Sequence, residues 1–469
     1  MYTYYTYQDW LHMGGGGDAA KKIVQSYRAS DFFVRAINAN RYFNGQNPTL
    51  DDKWLLNIQT EEKKDENGFT RRYATQRKIM GNRISSSFIR RFVVQQNQYL
   101  LGNGVSLDTP ETKQKLGLGF DNALQMIGER ALLHGVCYGY WNADHLEPLA
   151  AAVDPLSGCV ALLDEMTGAI GTAIQFWQLS PTRPLYMRVF EPDGVTVYSD
   201  GAGEDIRVTE GKRPYVLSVR RDALGAQVVG GANPDTLPVI PLYANDTHES
   251  ELTRSIITKI NAYDRIMSDF GDNLDRANDV YWVLNNFGGS TAEALQAVQQ
   301  IQELKIAMSL SDGTSSASAE PKTIDVPYAA RQTALSLLEK ALYSDFMAVS
   351  MEELTGGSLT NVAIQAALTN LNLKCDRYEW QCFRFVQMIL RLVGIETEDI
   401  SFERLNLLNK SETIQDIYMM RSDIDRETAL MLNPYIPKDR IGEIMQNVTA
   451  EEVSGQPDIA TLQGLIDEG

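Results

Sequence analysis

The sequence has no long apolar run and little cysteine. No stretch approaches the roughly 18 consecutive apolar residues of a membrane-spanning helix. The first residues, MYTYYTYQDWLHMGGGG, lack a basic region followed by an apolar one, so we expect neither membrane insertion nor export by a signal peptide. The 4 cysteines form no Cys-x-x-Cys pair, which argues against a zinc ribbon or a redox pair of that type. We expect reduced, mostly buried thiols of an intracellular protein.

Motifs for catalysis and cofactor binding are also missing. The 4 histidines are scattered without a His-Glu-x-x-His pattern, so we expect them at the surface or in satisfied positions. Gly102 and Gly104 begin like a dinucleotide-binding fingerprint, but Leu107 takes the third glycine position. The segment TGGSLTN has no lysine to hold a phosphate, and the adjacent Glu352 and Glu353 would point in different directions on a helix end. We predict no catalytic site, no cofactor and no metal.

Positive charge is in short supply. There are 43 Lys and Arg against 61 Asp and Glu, giving a net charge of −18. A protein that holds phosphates tightly is expected to be basic, so tight nucleic-acid binding is disfavoured. With 469 residues and 43% hydrophobic residues, the chain can bury a sizeable core in two to four domains.

Hydrophobic spacing predicts an α+β fold that is mainly helical. One helix is predicted from the segment beginning at residue 19 up to Gly45, a solvated loop or hairpin over 60–72, and helices over 84–102 and 122–134. Short alternating runs from 135 to 245 predict an antiparallel β subdomain, closed by a proline-containing edge strand.

Two long helices follow, over 247–279 and 328–353, and they flank a small α/β insertion. The sequence of the insertion predicts a strand and turn, then a short helix capped by Ser290, and then two strands around a serine-rich loop. One stripe of the first helix holds Ile256, Ile260, Tyr263, Met267, Phe270 and Leu274. A third helix is predicted over 362–393, after the soft segment MEELTGGSLTN at 351–361, and short helices are predicted after Gly394.

Three segments in this order resemble tailed-bacteriophage portal proteins of the SPP1-like group: YLLGNGV, the block from LPVIPLYAND to NLDRAND, and TGGSLTNVAIQAALTNLNLKCDRYE. The middle block carries the group's proline-flanked strand, an Asn, and an Ile-x-Ala-Tyr-Asp-x-x-x-Ser helix core. Here these positions are Pro238, Pro241, Asn245, Ile260, Ala262, Tyr263, Asp264 and Ser268. With RYFNGQNPTL near the start, the resemblance spans about 41–432.

The resemblance implies a portal fold with wing, stem, clip, tunnel loop and crown. Its parts would be a wing at 1–236, a first stem helix at 237–279, a clip at 280–326, a second stem helix at 327–353, a tunnel loop at 351–361, a long wing helix at 362–400, and a crown with the tail at 401–469. The tunnel-loop residues facing DNA would be Glu352, Glu353, Thr355, Gly356, Gly357, Ser358, Thr360 and Asn361. The stripe on the first long helix would be the oligomer face. The clip residues that dock partners would be Asn285, Asn286, Phe287, Asp312, Ser315 and Ser316.

The resemblance also implies a function without catalysis. Portal subunits form rings, usually of twelve, at one capsid vertex, where double-stranded DNA passes without sequence preference during packaging and ejection. The expected partners are further copies of the chain, the terminase large subunit, the head-completion adaptor, and the major capsid and scaffolding proteins. The expected location is the virion, with the host cytoplasm during assembly.

Two other interpretations of the sequence stay open. One is an intracellular oligomeric enzyme whose β subdomain binds a small ligand. The other is a different head-to-tail connector acting as an adaptor, although a large insertion between two long helices is unusual for such short chains. The soft segment at 351–361 could also be a simple turn between helices.

Overall fold

The computed structural model describes residues 4–64, 70–201, 205–222, 225–277, 281–285, 318–322, 328–350, 361–396, 399–404, 410–420, 424–433, 436, 441–442 and 444–445. The chain divides into two compact units, one of residues 1–348 and 377–403 and the other of residues 349–376 and 404–469. Both classes of secondary structure are well represented, which confirms the predicted α+β class.

The helices in the described residues are α1 (Tyr7–His12), α2 (Gly16–Arg28), α3 (Asp31–Phe43), α4 (Phe88–Leu101), α5 (Pro110–Gln114), α6 (Phe120–His134), α7 (Arg254–Ala277), α8 (Tyr328–Phe346), α9 (Asn361–Val393), α10 (Lys410–Met419) and α11 (Arg426–Leu432). The strands are β1 (Trp54–Lys64), β2 (Thr70–Met80), β3 (Val105–Leu107), β4 (Val136–Asn142), β5 (His145–Ala150), β6 (Ala152–Asp154), β7 (Ser157–Leu163), β8 (Ile170–Trp177), β9 (Leu185–Glu191), β10 (Gly194–Asp200), β11 (Arg207–Arg213), β12 (Val216–Asp222), β13 (Gly225–Ala232), β14 (Val239–Tyr243), β15 (Tyr281–Asn285), β16 (Ser318–Lys322) and β17 (Ile400–Phe402).

The N-terminal helices pack on a six-stranded antiparallel sheet of order β11-β10-β9-β8-β7-β6. The sequence predicted one helix up to Gly45, but Ser30 divides it into α2 and α3. The Ser30 hydroxyl accepts a hydrogen bond from the amide of Phe33 at 3.2 Å and donates one to the carbonyl of Tyr27 at 2.6 Å. An N-cap of this kind begins a new helix in a new direction. The continuous-helix prediction was therefore wrong at this point.

The predicted β subdomain is confirmed between β4 and β14. A second sheet has the order β14-β4-β5, so the proline-containing strand β14 is an edge strand, as predicted. Pro241 lies opposite Tyr138 in the β14–β4 pairing. An edge position suits proline because it has no amide hydrogen to give to a second neighbouring strand.

The largest core of the first unit joins α4, α6, the start of α7, the end of α8 and the last part of α9. Phe92 stacks on Phe346 with ring centroids 4.7 Å apart, and Ile127, Leu132 and Phe385 are buried beside them. These helices therefore share one apolar interior.

Two of the long helices are shorter than predicted, α7 at its start and α8 at its end. Helix α7 begins at Arg254 and not at 247, because the Asn245 side chain closes a loop with the amide and carbonyl of Glu249 at 3.1 and 2.9 Å. Helix α8 ends at Phe346 and not at 353, because Met347 has a φ of 60°. The amide of Ala348 donates to the carbonyl of Tyr343 at 3.0 Å, which is the pattern of a Schellman C-cap.

The third long helix was predicted over 362–393 and is observed over Asn361–Val393, which confirms it. Its first part belongs to the second unit, where Ile364, Leu368, Leu371 and Cys375 are buried. In the same unit, Arg404 donates to the Asn372 side chain at 3.1 Å and pairs with Asp376 at 2.5 Å. Short helices α10 and α11 follow, as predicted for the tail.

The described residues include four buried thiols but neither a candidate metal site nor a candidate membrane-spanning helix. All four cysteines are free and buried, which confirms the prediction of buried thiols. Within the described part of the chain, no cluster of His, Cys, Asp and Glu could hold a metal ion. In the same part, no helix combines the length and the apolar character needed to cross a membrane.

Candidate functional site

Helices α7 and α8 form an antiparallel pair in the first unit. Near one end, the Ser255 hydroxyl donates to Asp345 at 2.7 Å, and Lys259 forms an ion pair with the same carboxylate. Towards the other end, the rings of Phe270 and Tyr328 lie 5.7 Å apart. The contacts therefore run in opposite directions along the two helices.

The insertion between these helices begins and ends with paired strands. Strand β15 follows α7, strand β16 precedes α8, and the two pair antiparallel with Tyr281 opposite Lys322 and Asn285 opposite Ser318. The chain thus leaves and returns at one end of the helix pair. Both strands fall on predicted strand segments, whereas the predicted short helix after Ser290 and the serine-rich loop lie outside the described residues.

The predicted stripe on α7 changes its surroundings along the helix. Ile256 and Ile260 are 2% and 1% exposed and belong to the core of their own chain. This part of the stripe packs in the interior of the chain. Tyr263 packs edge-on against Phe88 at 5.0 Å. Met267 and Phe270 are half-buried, and Leu274 is 51% exposed.

The buried positions of α7 depart from the predicted apolar stripe after Ile260. They continue in steps of four residues as Asp264, Ser268 and Asp272, which are 1%, 0% and 6% exposed. A step of four residues turns about 40° further than one full helical turn, so this second stripe winds slowly around the helix. Asp264 and Ser268 are among the positions that carry the family resemblance, but their spacing alone predicts no role for them.

Residues 81–87, which we call the strap, lie extended along this polar stripe. The amides of Asn82, Ile84 and Ser86 donate to the side chains of Asp272, Ser268 and Asp264 at 2.6, 2.9 and 2.9 Å. Four residues of helix rise about 6 Å, and two residues of extended chain span about 6.6 Å. The two repeats match closely enough for every second amide of the strap to reach the next helical turn.

The strap explains why α4 begins at Phe88, although a helix was predicted from 84. Its alternate amides are bound by side chains of α7, and in a helix they would point elsewhere. Gly271 allows the close approach, because a Cβ there would lie 3.2 Å from the Asn82 side chain and 3.3 Å from Ile84. The helix prediction was therefore wrong over 84–87.

Burial raises the pKa values of the two carboxylates of the stripe, Asp264 and Asp272, whereas hydrogen bonding lowers them. Burial raises the pKa of Asp264, although Asn47 at 2.8 Å and the amide of Ser86 donate hydrogen bonds to it. Burial alone would also raise the pKa of Asp272, but hydrogen bonds from Lys53 and the Asn82 amide outweigh it and hold that pKa below its usual value. A buried carboxylate with these partners fixes the strap to one register.

The same contacts fix the base of the β1–β2 hairpin, which lies between Lys53 and the strap. Lys53 forms ion pairs with Asp269 and Asp272 at 2.9 and 2.6 Å. On the other side of the hairpin, the Asn82 side chain donates to Asp275 at 2.7 Å. The hairpin predicted as one option for 60–72 is confirmed, and its strands reach from Trp54 to Met80 with Trp54 opposite Met80.

The predicted loop and clip residues lie mostly outside the described residues. Asn361 is the first residue of α9, and Asn285 is the last residue of β15. The remaining tunnel-loop residues lie outside the described part of the chain: Glu352, Glu353, Thr355, Gly356, Gly357, Ser358 and Thr360. So do the clip residues Asn286, Phe287, Asp312, Ser315 and Ser316.

His134 is a buried core histidine. Its Nε2 lies 2.8 Å from the Asn40 side-chain oxygen, and burial together with the nearby Arg130 lowers its pKa to about 3. It therefore stays neutral at ordinary pH. Burial raises the pKa of Cys137 to about 12, so this thiol is also inert.

The fold and this site define an α+β protein organised around an antiparallel helix pair with an insertion at one end of the pair. The family model described as "Phage portal protein, SPP1 Gp6-like" matches residues 27–444. The chain belongs to this family of phage portal proteins, which confirms the resemblance found in the sequence.

Two portal proteins are among its relatives. The portal protein of Bacillus phage SPP1 is 25% identical over 430 residues, covering 83% of this chain and 79% of the relative. The portal protein of Clostridium phage phiCD119 is 27% identical over 168 residues, covering 34% of this chain and 36% of the relative. Both matches agree with the family assignment.

Proposed function

We propose that this chain is the subunit of a ring at one capsid vertex, through which double-stranded DNA enters during packaging and leaves during ejection. The observation that carries the proposal is the antiparallel α7–α8 pair with the paired strands β15 and β16 at one end. This pair lies within the region that matches the portal family. A closed ring of twelve copies agrees with the cyclic symmetry common among homo-oligomers.

In this ring, α7 and α8 form the stem, and residues 280–326 form a clip that docks the terminase large subunit and later the head-completion adaptor. The remaining partners are the major capsid and scaffolding proteins. The subunit has no catalytic step of its own. Its contribution is a channel of fixed width, and the energy for movement comes from the docked motor.

A channel must touch DNA without retaining it. Each additional phosphate contact raises affinity and strengthens its dependence on salt, so a strongly basic wall would trap the duplex. A chain of net charge −18 disfavours such trapping. This property supports passage over binding.

Residues 351–361 form the tunnel loop of the proposed ring. Gly356 and Gly357 permit backbone conformations that other residues rarely adopt. The neutral groups of Thr355, Ser358 and Thr360 can contact phosphates without an ion pair and without reading sequence. Such a loop can follow a helical duplex whose symmetry differs from that of the ring.

Mass photometry and negative-stain microscopy of the purified chain test the ring. Twelve chains of 52.4 kDa would have a mass of about 630 kDa and a central opening. A monomer, a dimer or a tetramer without an opening would contradict the proposal, and a dimer or tetramer would favour the oligomeric enzyme.

Deletion of residues 356–361 tests the loop. We expect rings to assemble normally and DNA packaging to fall. Replacement of the same residues by an equally long, flexible Gly-Ser segment should retain more packaging because it preserves the length of the loop. Normal packaging by the deletion variant would remove the tunnel-loop assignment.

A further inference from the structure

The last part of α9 presents two contrasting faces. Its inner face, including Tyr378, Cys382 and Phe385, is buried in the core of the first unit. Its outer face consists of exposed side chains at three- and four-residue spacing: Arg377, Trp380, Arg384, Met388 and Arg391. This spacing places them in one stripe about 21 Å long, which we call the Arg–Trp face.

The apolar members of this face are unusually exposed. Trp380 is 63% exposed and Met388 is 46% exposed. The Trp380 ring packs edge-on against Phe383, with centroids 5.8 Å apart, so one side of the indole is supported. Tryptophan, methionine and arginine are enriched in protein interfaces, and tryptophan and arginine dominate their binding energy. The composition of the face is that of an interface centre.

The face is positively charged on an acidic chain. Among the described residues, none of the guanidinium groups of Arg377, Arg384 and Arg391 has an ion pair, whereas the neighbouring Asp376 is already paired with Arg404 at 2.5 Å. The whole chain carries a net charge of −18. A second copy is therefore rich in carboxylates that complement the three arginines.

Protein fits this face better than duplex DNA does. Phosphates would satisfy the arginines, but they would leave Trp380 and Met388 against a strongly hydrated backbone. A protein surface can bury the indole and the thioether while its carboxylates pair with the flanking guanidinium groups.

We propose that the Arg–Trp face docks onto an acidic surface of the neighbouring copy in the ring. The contact is heterologous, so each subunit offers this face to one neighbour and its acidic surface to the other. This inference rests on the proposed ring and names one of its contact surfaces.

Photo-crosslinking tests the contact directly. Benzoylphenylalanine replacing Trp380 in the full-length chain should give a crosslinked pair of about 105 kDa, twice the chain mass of 52.4 kDa, and mass spectrometry should locate the link next to carboxylates of a second copy. The same group replacing Leu179, which is 86% exposed on the β8–β9 turn, is the control and should give no such product.

The other products have definite meanings. A link only within one chain would mean that its own C-terminal residues cover the face, and a link to DNA in packaged particles would mean a nucleic-acid surface. Either result would overturn the inference. Failure of the unmodified protein to form rings would instead overturn the proposed function, so the two failures are distinguishable.

Charge reversal gives a second test that leaves the core intact. Arg377→Glu with Arg384→Glu should lower the fraction of chains in rings at least about tenfold without shifting the thermal melting of the subunit, because both side chains are exposed. Arg183→Glu with Lys115→Glu changes the net charge equally at exposed sites elsewhere and should leave assembly unchanged. Equal assembly of the two double variants would contradict the inference.

Discussion

Helices α7 and α8 lie side by side, yet their surroundings differ. Helix α7 buries one side chain per turn from Ile256 to Asp272, first in the core and then against the strap. Among the residues of α8, only Leu342 and Phe346 are buried, and Leu337 is 63% exposed. The first helix is fixed in the interior of its own chain. The second has mostly exposed or half-buried side chains.

A core substitution in α7 should reduce stability more than a surface substitution in α8. Ile260→Ala should lower the free energy of unfolding by about 2–5 kcal/mol, because a buried side chain is removed from a packed core. Leu337→Ala on α8 should change it by less than about 0.5 kcal/mol. Chemical denaturation of both variants measures the difference, and equal losses would show that α8 is anchored in the subunit as firmly as α7.

Next in size is the effect of removing the polar anchor of the strap. Asp264→Ala should cost about 2–4 kcal/mol, because it leaves the Asn47 side chain and the Ser86 amide buried without their acceptor. Asp269→Ala on the same helix is the control, since its carboxylate is 50% exposed, and it should cost less than about 1 kcal/mol. If Asp264→Ala cost no more than this control, the strap would not depend on the stripe.

A smaller effect compares two helical hydroxyl groups. The Ser268 hydroxyl donates to the carbonyl of Asp264 at 2.7 Å and also accepts from the Ile84 amide. The Thr333 hydroxyl on α8 donates to the carbonyl of Ala329 at 2.9 Å and has no other partner among the described residues. We expect a cost of about 1–2 kcal/mol for Ser268→Ala and about 0–0.5 kcal/mol for Thr333→Ala. Unfolding free energies of the two variants decide whether the strap contact accounts for the difference.

The smallest expected effect is on the dependence of stability on pH. The pKa of Asp272 is lowered in the folded chain, so its stabilising contribution is present above the unfolded value near pH 4 and is lost as pH falls through the folded value. The pKa of Asp264 is raised, so its contribution is present at low pH and is lost as pH rises through the folded value.

Denaturation midpoints between pH 3 and 7 measure this contrast. Asp272→Asn should reduce the loss of stability that the parent chain shows when the pH falls below about 4. Asp264→Asn should reduce the loss of stability that the parent chain shows when the pH rises above about 4. The charged groups facing Asp272 are Lys53 and, through Lys53, Asp269. Identical pH profiles for both variants and the parent chain would contradict the assigned environments.

Much of the fold followed from local pattern. The stripe of α9, the alternating strands of the β subdomain and the edge position of Pro241 were all predictable from spacing and proline chemistry. The break at Ser30 was less obvious, because apolar spacing continues across it at Tyr27 and Val34. In that region the N-cap at Ser30 starts a new helix although the apolar spacing predicts a continuous one.

The strap could not be predicted by the same means. Ile84 has the spacing of a helical residue, and its true conformation is set by Ser268, which lies 184 positions away in the sequence. A signal was nevertheless present in Asp264, Ser268 and Asp272, which are polar residues at four-residue spacing on a long helix with a predicted apolar stripe. Buried polar groups require hydrogen-bond partners, so polar residues at this spacing can indicate that an extended segment of backbone is bound along the helix.

Cryo-electron microscopy of the purified chain would show whether the helix pair surrounds a channel. We expect a closed ring of about twelve copies in which α7 and α8 are the helices nearest a central hole. A lone subunit, a small oligomer without a hole, or a ring with this helix pair on its outer rim would contradict it.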